Sequence, residues 1–183
     1  MQGNLETIKL NEKTKHHLKS YLILLPITAL IVFLDQWTKN IVRANLEFGE
    51  VWSPVEWLTP YARVVHWYNT GVAFGMFQDK NLLFTILVLL ISVSIFIFYP
   101  KLTEDDWFLK IALSLQLGGS VGNLIDRVTV GHVTDFISVG NFPVFNIADS
   151  CITVGAIIMI IGLWVEERKQ KAQTTAQDKD ASQ

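Results

Sequence analysis

The sequence predicts an all-α integral membrane protein with four transmembrane helices and a small β-rich platform between the first two. Three observations support this fold class. Half of the 183 residues are hydrophobic and only 17% are charged, with a mean hydropathy of +0.33. Four apolar runs approach the roughly 20 residues that a membrane-spanning helix needs. A long connection rich in aromatic and β-forming residues separates the first two runs.

The first predicted span covers residues 21–42 and contains two charged residues. Its apolar run, from Tyr21 to Leu34, reaches spanning length only if Asp35 and Lys39 belong to its last turns. These two residues are four apart, so they share a helix face and can pair. A purely structural ion pair at the membrane interface is one interpretation, and a role near a functional site is the other.

The connection over residues 40–81 predicts the platform. Its amphipathic aromatic side chains favour the headgroup level of a bilayer; they are Trp52, Trp57, Trp67 and Tyr68. Residues 62–68 are rich in β-formers and predict a strand. The segment ends at Asn69 and Gly71, where glycine allows a turn or a close backbone approach. A simple turn into the next span remains the alternative.

Three further spans are predicted at 82–99, 107–125 and 147–165. The third carries Gly118, Gly119 and Gly122, a small-residue pattern that lets helices approach closely. These glycines either pack the helices or leave room for a bound chain between them.

The end of the third span is polar, since Asn123, Asp126 and Arg127 follow Gly122 within five residues. Asn123 and Arg127 are four apart and share a face, with Asp126 one turn from Asn123. Anchoring at the membrane interface is the plain interpretation of Asp126 and Arg127, and a site role is the other.

Two acids, Asp135 and Asp149, are the strongest functional candidates. Asp135 lies in the predicted loop 128–145, and Asp149 lies three residues after Asn146, the predicted N-cap of the fourth span. A carboxylate at membrane depth is costly, which makes it a functional hypothesis by default. Two neighbouring carboxyls can share a proton and perform acid–base chemistry on a water and a carbonyl. A capping role alone is the alternative for Asp149.

The orientation follows from Lys and Arg. With four spans, ten of the fifteen basic residues lie on the side that holds both tails, which the positive-inside rule assigns to the cytoplasm. Residues 1–20 are then a polar cytoplasmic tail, and residues 166–183 a charged cytoplasmic tail expected to be disordered. The polar residues of the loops and helix ends gather at the outer face, so the platform is extracytoplasmic.

Composition also narrows the function classes. A net charge of −2 argues against a nucleic-acid partner, and the single Cys151 excludes an intrachain disulfide. The four histidines lack metal-ligand spacing, so neither a metal nor a cofactor is expected.

Taken together, the motifs resemble the bacterial lipoprotein signal peptidase (signal peptidase II) family, in order and in spacing. The matching segments are Asp35-x-x-Thr-Lys39, Asn69-x-Gly-x-Ala-Phe74, Gly118-Gly-x-x-Gly-Asn-x-x-Asp-Arg127, Val133-x-Asp-Phe136 and Phe145-Asn-x-Ala-Asp149. They cover about residues 21–165, and both tails lie outside them.

The resemblance implies an intramembrane aspartic endopeptidase, an aspartyl protease of the bacterial inner membrane. We expect the protein to be a monomer. Its substrate would be a diacylglyceryl-modified prolipoprotein lying in membrane lipid, cut on the N-terminal side of the lipidated Cys. Asp135 and Asp149 would be catalytic, and the platform would match the family's β-cradle. The supporting residues would be Asp35, Lys39, Asn69, Gly71, Gly122, Asn123, Asp126, Arg127 and Asn146. Among them, Asn69, Asn123 and Arg127 would face the substrate backbone or lipid.

The two catalytic acids are expected to differ in protonation, because close carboxyls do not both ionise easily. Asp149 lies in the first turn of a helix, where the dipole favours an anion by ~0.3–1 kcal/mol. We therefore expect Asp149 as the base and Asp135 as the protonated partner.

Three other functions stay open at this point. An ion- or proton-coupled transporter would also use intramembrane Asp and Asn, although no internal repeat is visible. A scaffold subunit would use its aspartates only to cap and pair. A metal-dependent hydrolase would use Asp126, Asp135 and Asp149 as oxygen ligands.

Overall fold

The structure of the protein is a computed structural model that describes residues 2–70, 81–103 and 106–181. Four α-helices make up most of the described chain. Their bounds are α1 Gln2–Asn45, α2 Asn81–Leu102, α3 Trp107–Thr129 and α4 Ile147–Ala181. Three short strands are β1 Val51–Trp52, β2 Ala62–Asn69 and β3 Val133–Val139, with a 3-10 turn at Glu56–Leu58 between β1 and β2.

All four helices are long and apolar enough to cross a membrane. The spanning segments are His17–Asn45, Asn81–Leu102, Trp107–Thr129 and Ile147–Thr174. Each contains one of the four predicted spans, so the predicted fold class is confirmed. The division of the chain into a membrane domain and two tails stays a prediction.

The helices extend further into the terminal segments than the sequence predicts. α4 continues to Ala181, where we expected disorder. The segment 166–181 contains neither Gly nor Pro and is rich in Glu, Lys, Arg and Gln, which are good helix formers. Lys171 also pairs with Glu167 one turn earlier. α1 likewise begins at Gln2, within the polar tail.

The predicted platform is an antiparallel sheet with the strand order β1-β2-β3. β1 and β2 come from the connection between α1 and α2, as predicted. β3, however, comes from the connection between α3 and α4, which we predicted to be a loop. Its sequence, Val133-Thr-Asp-Phe-Ile-Ser-Val139, is dominated by β-branched and aromatic residues, and these favour a strand.

A bulge in β2 determines where β3 points its side chains. The register shifts between Val64 and Trp67, after which Trp67 lies opposite Asp135 and Asn69 opposite Val133. Bulges of this kind bend a strand and redirect the residues beside them. Asp135 therefore lies on strand β3 of the sheet, whereas Asp149 lies on helix α4.

α3 lies at the centre of the bundle and packs against the other three helices. A buried apolar cluster joins α1, α2 and α3; it consists of Leu24, Ile95, Tyr99, Leu113 and Leu117. Two glycines of α3 allow the neighbouring helices α1 and α4 to approach closely. A Cβ at Gly118 would lie 2.8 Å from the Ile31 side chain, and one at Gly119 would clash with the Ala148 carbonyl oxygen. At these two positions the packing interpretation of the glycines is the one the structure supports.

Candidate active site

A buried ion network joins the end of α1 to the end of α3. The Lys39 ammonium lies 2.7 Å from the Asp35 carboxylate and 3.4 Å from that of Asp126, and all three side chains are fully buried. Gly122 lets this approach occur, because a Cβ there would lie 2.6 Å from the Asp35 Oδ2. Buried charges are costly unless they are paired and hydrogen-bonded, which explains why these residues are held so closely.

Each acid of the network also fixes a neighbouring element. Asp35 Oδ1 accepts a hydrogen bond from the Ala148 backbone N–H at 3.0 Å, which satisfies an orphan donor in the first turn of α4. Asp126 Oδ2 accepts from the Thr134 backbone N–H at 2.9 Å, which holds β3 against α3. Arg43 donates to Asp126 Oδ1 at 3.2 Å. The network thus positions the two segments that carry the candidate catalytic acids.

Asn123 connects the ion network to Asp149. Its Oδ1 accepts from the Lys39 ammonium at 2.9 Å and from the Asn146 amide at 3.1 Å. With two donors at the oxygen, the NH₂ group of Asn123 must point the other way, and it donates to Asp149 Oδ1 at 2.8 Å. The positive charge of Lys39 therefore polarises an amide that serves Asp149.

Asn146 bridges the two candidate acids. Its side-chain NH₂ donates to Asp135 Oδ1 at 2.7 Å, and its backbone N–H donates to Asp149 Oδ2 at 3.3 Å. Its Oδ1 accepts from the Asp149 backbone N–H at 2.9 Å, the geometry of an N-cap. The predicted capping arrangement and the predicted carboxyl pair therefore coexist in one structure.

Asp135 occupies a nearly inaccessible position, with 1% of its surface exposed. Its Oδ2 accepts from the Asn69 amide at 3.0 Å. Burial, followed by the negative charge of Asp149, raises the pKa of Asp135 to about 7, although the hydrogen bonds from Asn69 and Asn146 oppose the shift. At neutral pH this carboxyl can hold a proton.

The remaining predicted residues are distributed as follows. Arg127 donates to Asn81 Oδ1 at 3.0 Å and lies 5.8 Å from the centroid of the Phe84 ring, so it joins α3 to the start of α2. Asn69 and Asn123 donate hydrogen bonds to the carboxyls of Asp135 and Asp149, and their expected contact with the substrate stays a prediction. Gly71 lies outside the described residues.

Four residues of the site were not predicted from the sequence. Gln36 donates to Asp126 Oδ1 at 3.0 Å, and Thr134 Oγ1 accepts from Arg43 at 3.1 Å. Arg43 carries a usable signal, since it continues the four-residue spacing of the Asp35 and Lys39 face. The others, including Asn81, require contacts between distant segments that no local pattern reveals.

Comparison with known proteins identifies the family of this chain. The sequence matches the family described as signal peptidase (SPase) II over residues 27–165. The lipoprotein signal peptidase of Enterococcus faecalis is 35% identical over 147 residues, which cover 79% of this chain and 89% of that protein. The lipoprotein signal peptidase of Acinetobacter baylyi is 39% identical over 158 residues, which cover 81% and 86% of the two chains.

A solved structure is also similar. It is described as a bacterial membrane enzyme determined by the in meso method at 2.3 Å resolution, and it matches with a TM-score of 0.73 at 32% identity. The match covers 79% of this chain and 88% of that one. The resemblance inferred from the motifs is confirmed, and the chain belongs to the signal peptidase II family.

Proposed function

We propose that this chain is an intramembrane aspartic endopeptidase that removes the signal peptide from diacylglyceryl-modified prolipoproteins, cutting on the N-terminal side of the lipidated Cys. Its family is one of signal peptidases, and its relatives are lipoprotein signal peptidases. The observation that carries the proposal is Asn146, which hydrogen-bonds both Asp135 and Asp149 and so couples two acids from different elements.

The different surroundings of Asp149 and Asp135 suit one of them to act as a base and the other as an acid. Asp149 lies in the first turn of α4 and accepts one hydrogen bond from the Asn146 backbone N–H and another from the Asn123 amide, which Lys39 polarises. Both hydrogen bonds favour the ionised carboxyl. Asp135 accepts hydrogen bonds from two neutral side-chain amides, and its pKa of about 7 leaves it about half protonated at neutral pH and largely protonated below it. Asp149 is therefore the general base and Asp135 the general acid.

The reaction then proceeds through two proton transfers. Asp149 takes a proton from a water, whose oxygen attacks the scissile carbonyl carbon, while Asp135 donates its proton to the carbonyl oxygen. This gives a neutral gem-diol and leaves Asp149 protonated and Asp135 ionised. Asp149 next protonates the leaving amine, the C–N bond breaks, and a diol proton returns to Asp135. Both acids end in their starting states.

The membrane topology supports access from the outer face. The site residues come from the C-terminal ends of α1 and α3 and the N-terminal ends of α2 and α4, which lie at the same end of the bundle. The excess of Lys and Arg lies at the opposite end, which the positive-inside rule assigns to the cytoplasm. We therefore place the active site at the extracytoplasmic face of the bacterial inner membrane, with both termini cytoplasmic and the protein acting as a monomer.

The test is cleavage of a diacylglyceryl-modified prolipoprotein by the purified chain in detergent, with chelator present. We expect the native chain to cleave, and Asp135→Asn and Asp149→Asn each to lose at least about 10³-fold in rate, as removal of an acid–base group does. Mass spectrometry of the product identifies the cut bond. Near-native cleavage by either variant would contradict the dyad.

The same experiment separates the other function classes. Loss of the native activity in chelator would favour a metal-dependent hydrolase. A folded native chain that cleaves nothing would favour a transporter or a scaffold, and solute uptake into proteoliposomes would then distinguish these two.

A further inference from the structure

The face of the sheet that carries Asp135 also carries an exposed tryptophan. We infer that Trp67 determines substrate specificity by contacting an apolar side chain of the substrate within three residues of the scissile bond. This inference rests on the proposed function, since it adds a substrate contact to the same site.

The strand register places Trp67 beside Asp135. The two residues are direct partners in the antiparallel β2–β3 pair. Directly opposed residues project to the same face of a sheet, with Cβ atoms about 4.5–5.5 Å apart. Asn69, two residues further along β2, belongs to the same face and donates to the Asp135 carboxyl. The indole therefore stands on the catalytic face, next to the group that protonates the scissile carbonyl.

The Trp67 indole packs against neighbouring aromatic side chains. Its ring stacks on Phe48 at a centroid distance of 5.2 Å, and Phe48 stacks in turn on Tyr68 at 4.5 Å. The turn that presents Phe48 is fixed by Gly49, which has a φ of +81° and donates its N–H to the His66 carbonyl at 2.8 Å. A residue with a Cβ is disfavoured at that φ. Because these contacts already restrict the indole, Trp67 loses little side-chain entropy when it binds a partner.

Trp67 is much more exposed than the residue directly opposite it in the sheet. Asp135, its direct partner, is 1% exposed, whereas Trp67 is 47% exposed. A peptide in extended conformation advances about 3.3 Å per residue, so an indole beside the general acid reaches side chains one to three residues from the cleaved bond. Covering the indole with an apolar side chain removes apolar surface from water and stabilises the complex.

Interfacial anchoring is the other use of an exposed tryptophan, and the chain offers a matched control for it. Trp57 lies in the same connection between α1 and α2, is 72% exposed, and belongs to the 3-10 turn rather than to the strand opposite Asp135. Anchoring by aromatic side chains at the headgroup level would use both residues. Substrate contact would use Trp67 alone.

The experiment measures kcat and KM of the full-length protein in detergent on a set of lipidated prolipoprotein peptides. In this set, each of the three residues before the lipidated Cys is replaced in turn by Leu, Ala and Gln. The native chain, Trp67→Ala, Trp67→Phe and Trp57→Ala are compared. The readout is the ratio of kcat/KM for the Leu and Gln peptides, which does not depend on the fraction of enzyme that is folded.

We expect the native chain to prefer Leu over Gln by roughly 10-fold or more at one position, the range of discrimination that apolar contacts give. Trp67→Ala should reduce that ratio several-fold, mainly by raising KM for the Leu peptide, and Trp67→Phe should restore most of it. Trp57→Ala should keep the native ratio.

Two results would overturn the inference alone: native ratios at all three positions in Trp67→Ala, or the same reduction in Trp57→Ala. A native chain that cleaves none of the peptides would overturn the proposed function as well. The two failures are therefore distinguishable.

Discussion

The site contains two pairs of aspartates with different surroundings; Asp35, Asp126 and Asp135 are buried, and Asp149 is partly buried. Asp35 and Asp126 contact the ammonium of Lys39, and Asp126 also contacts a guanidinium. Asp135 and Asp149 instead accept hydrogen bonds from amides. A buried cation favours the ionised form of a carboxyl more strongly than neutral amides do, so a carboxyl that contacts only amides exchanges a proton more readily. The comparison separates the acids that hold the site from the two acids that we propose to react.

Asp35 and Asp126 are called the structural pair below, and Asp135 and Asp149 the reactive pair that we propose. The largest expected loss of stability comes from removing Lys39, the cation that the structural pair shares. Lys39→Met should destabilise the protein by about 3–5 kcal/mol, because it leaves Asp35 and Asp126 buried without their shared partner. Thermal or denaturant unfolding in detergent measures it. Lys171→Met is the matched control, since it removes an exposed pair with Glu167 that is worth ~0.5 kcal/mol or less. Equal losses in the two variants would break the comparison.

The next effect concerns the reactive pair and depends on pH. The pKa of Asp135 rises from 3.8 to about 7 on folding, so the folded state binds its proton more tightly than the unfolded state. The stability that this proton contributes is fully present below pH 4 and is lost as the pH rises through 7. Asp135→Asn cannot ionise, so its melting temperature relative to the native chain should increase between pH 4 and pH 8. A constant difference would show that Asp135 is not buried in protonated form.

The same titration predicts the activity profile. If Asp135 is the general acid, kcat/KM should fall above about pH 7 as this carboxyl loses its proton. Rates measured with one lipidated peptide between pH 5 and pH 9 test this. The dyad titrates as a unit, so the observed value belongs to the pair. A rate that rises steadily to pH 9 would reverse the assigned roles.

A smaller loss of stability is expected where Gly122 contacts Asp35, one acid of the structural pair. Gly122→Ala places a methyl group 2.6 Å from the Asp35 Oδ2, so the carboxylate must move away from its partners. We expect a loss of about 1–3 kcal/mol, typical of overpacking. Adding Asp35→Asn to Gly122→Ala should reveal coupling, because both changes affect the same contact. Strict additivity in this double-mutant cycle would show that the contact carries no energy.

The smallest effect is expected at the partly exposed edge of the structural pair. Arg43 is 20% exposed and lies 3.2 Å from Asp126, which already contacts Lys39. Arg43→Gln should therefore cost only about 1 kcal/mol. A loss as large as that of Lys39→Met would show that the guanidinium, rather than the ammonium, neutralises this pair.

The sequence predicts the local parts of this site better than its connections. The pairing of Asp35 with Lys39 follows from a four-residue spacing, and the cap at Asn146 follows from the start of an apolar run. The link from Lys39 through Asn123 to Asp149 joins three helices, and no spacing along one helix contains it. Strand β3 was missed although its composition favours a strand, because Gly131, Gly140 and Pro143 around it indicated a loop.

The ion network has a consequence for how the chain is made. α1 enters the bilayer first and carries Asp35 and Lys39 as a neutralised couple on one helix face, which lowers the cost of inserting it. Further partners of this couple arrive with the third and fourth helices: Asp126 and Asn123 on α3, and the Ala148 N–H on α4. On the proposed mechanism, a growing chain stays inert until its last helix is inserted, because Asp149 enters with that helix. Proteolytic activity would then begin only when biogenesis is complete.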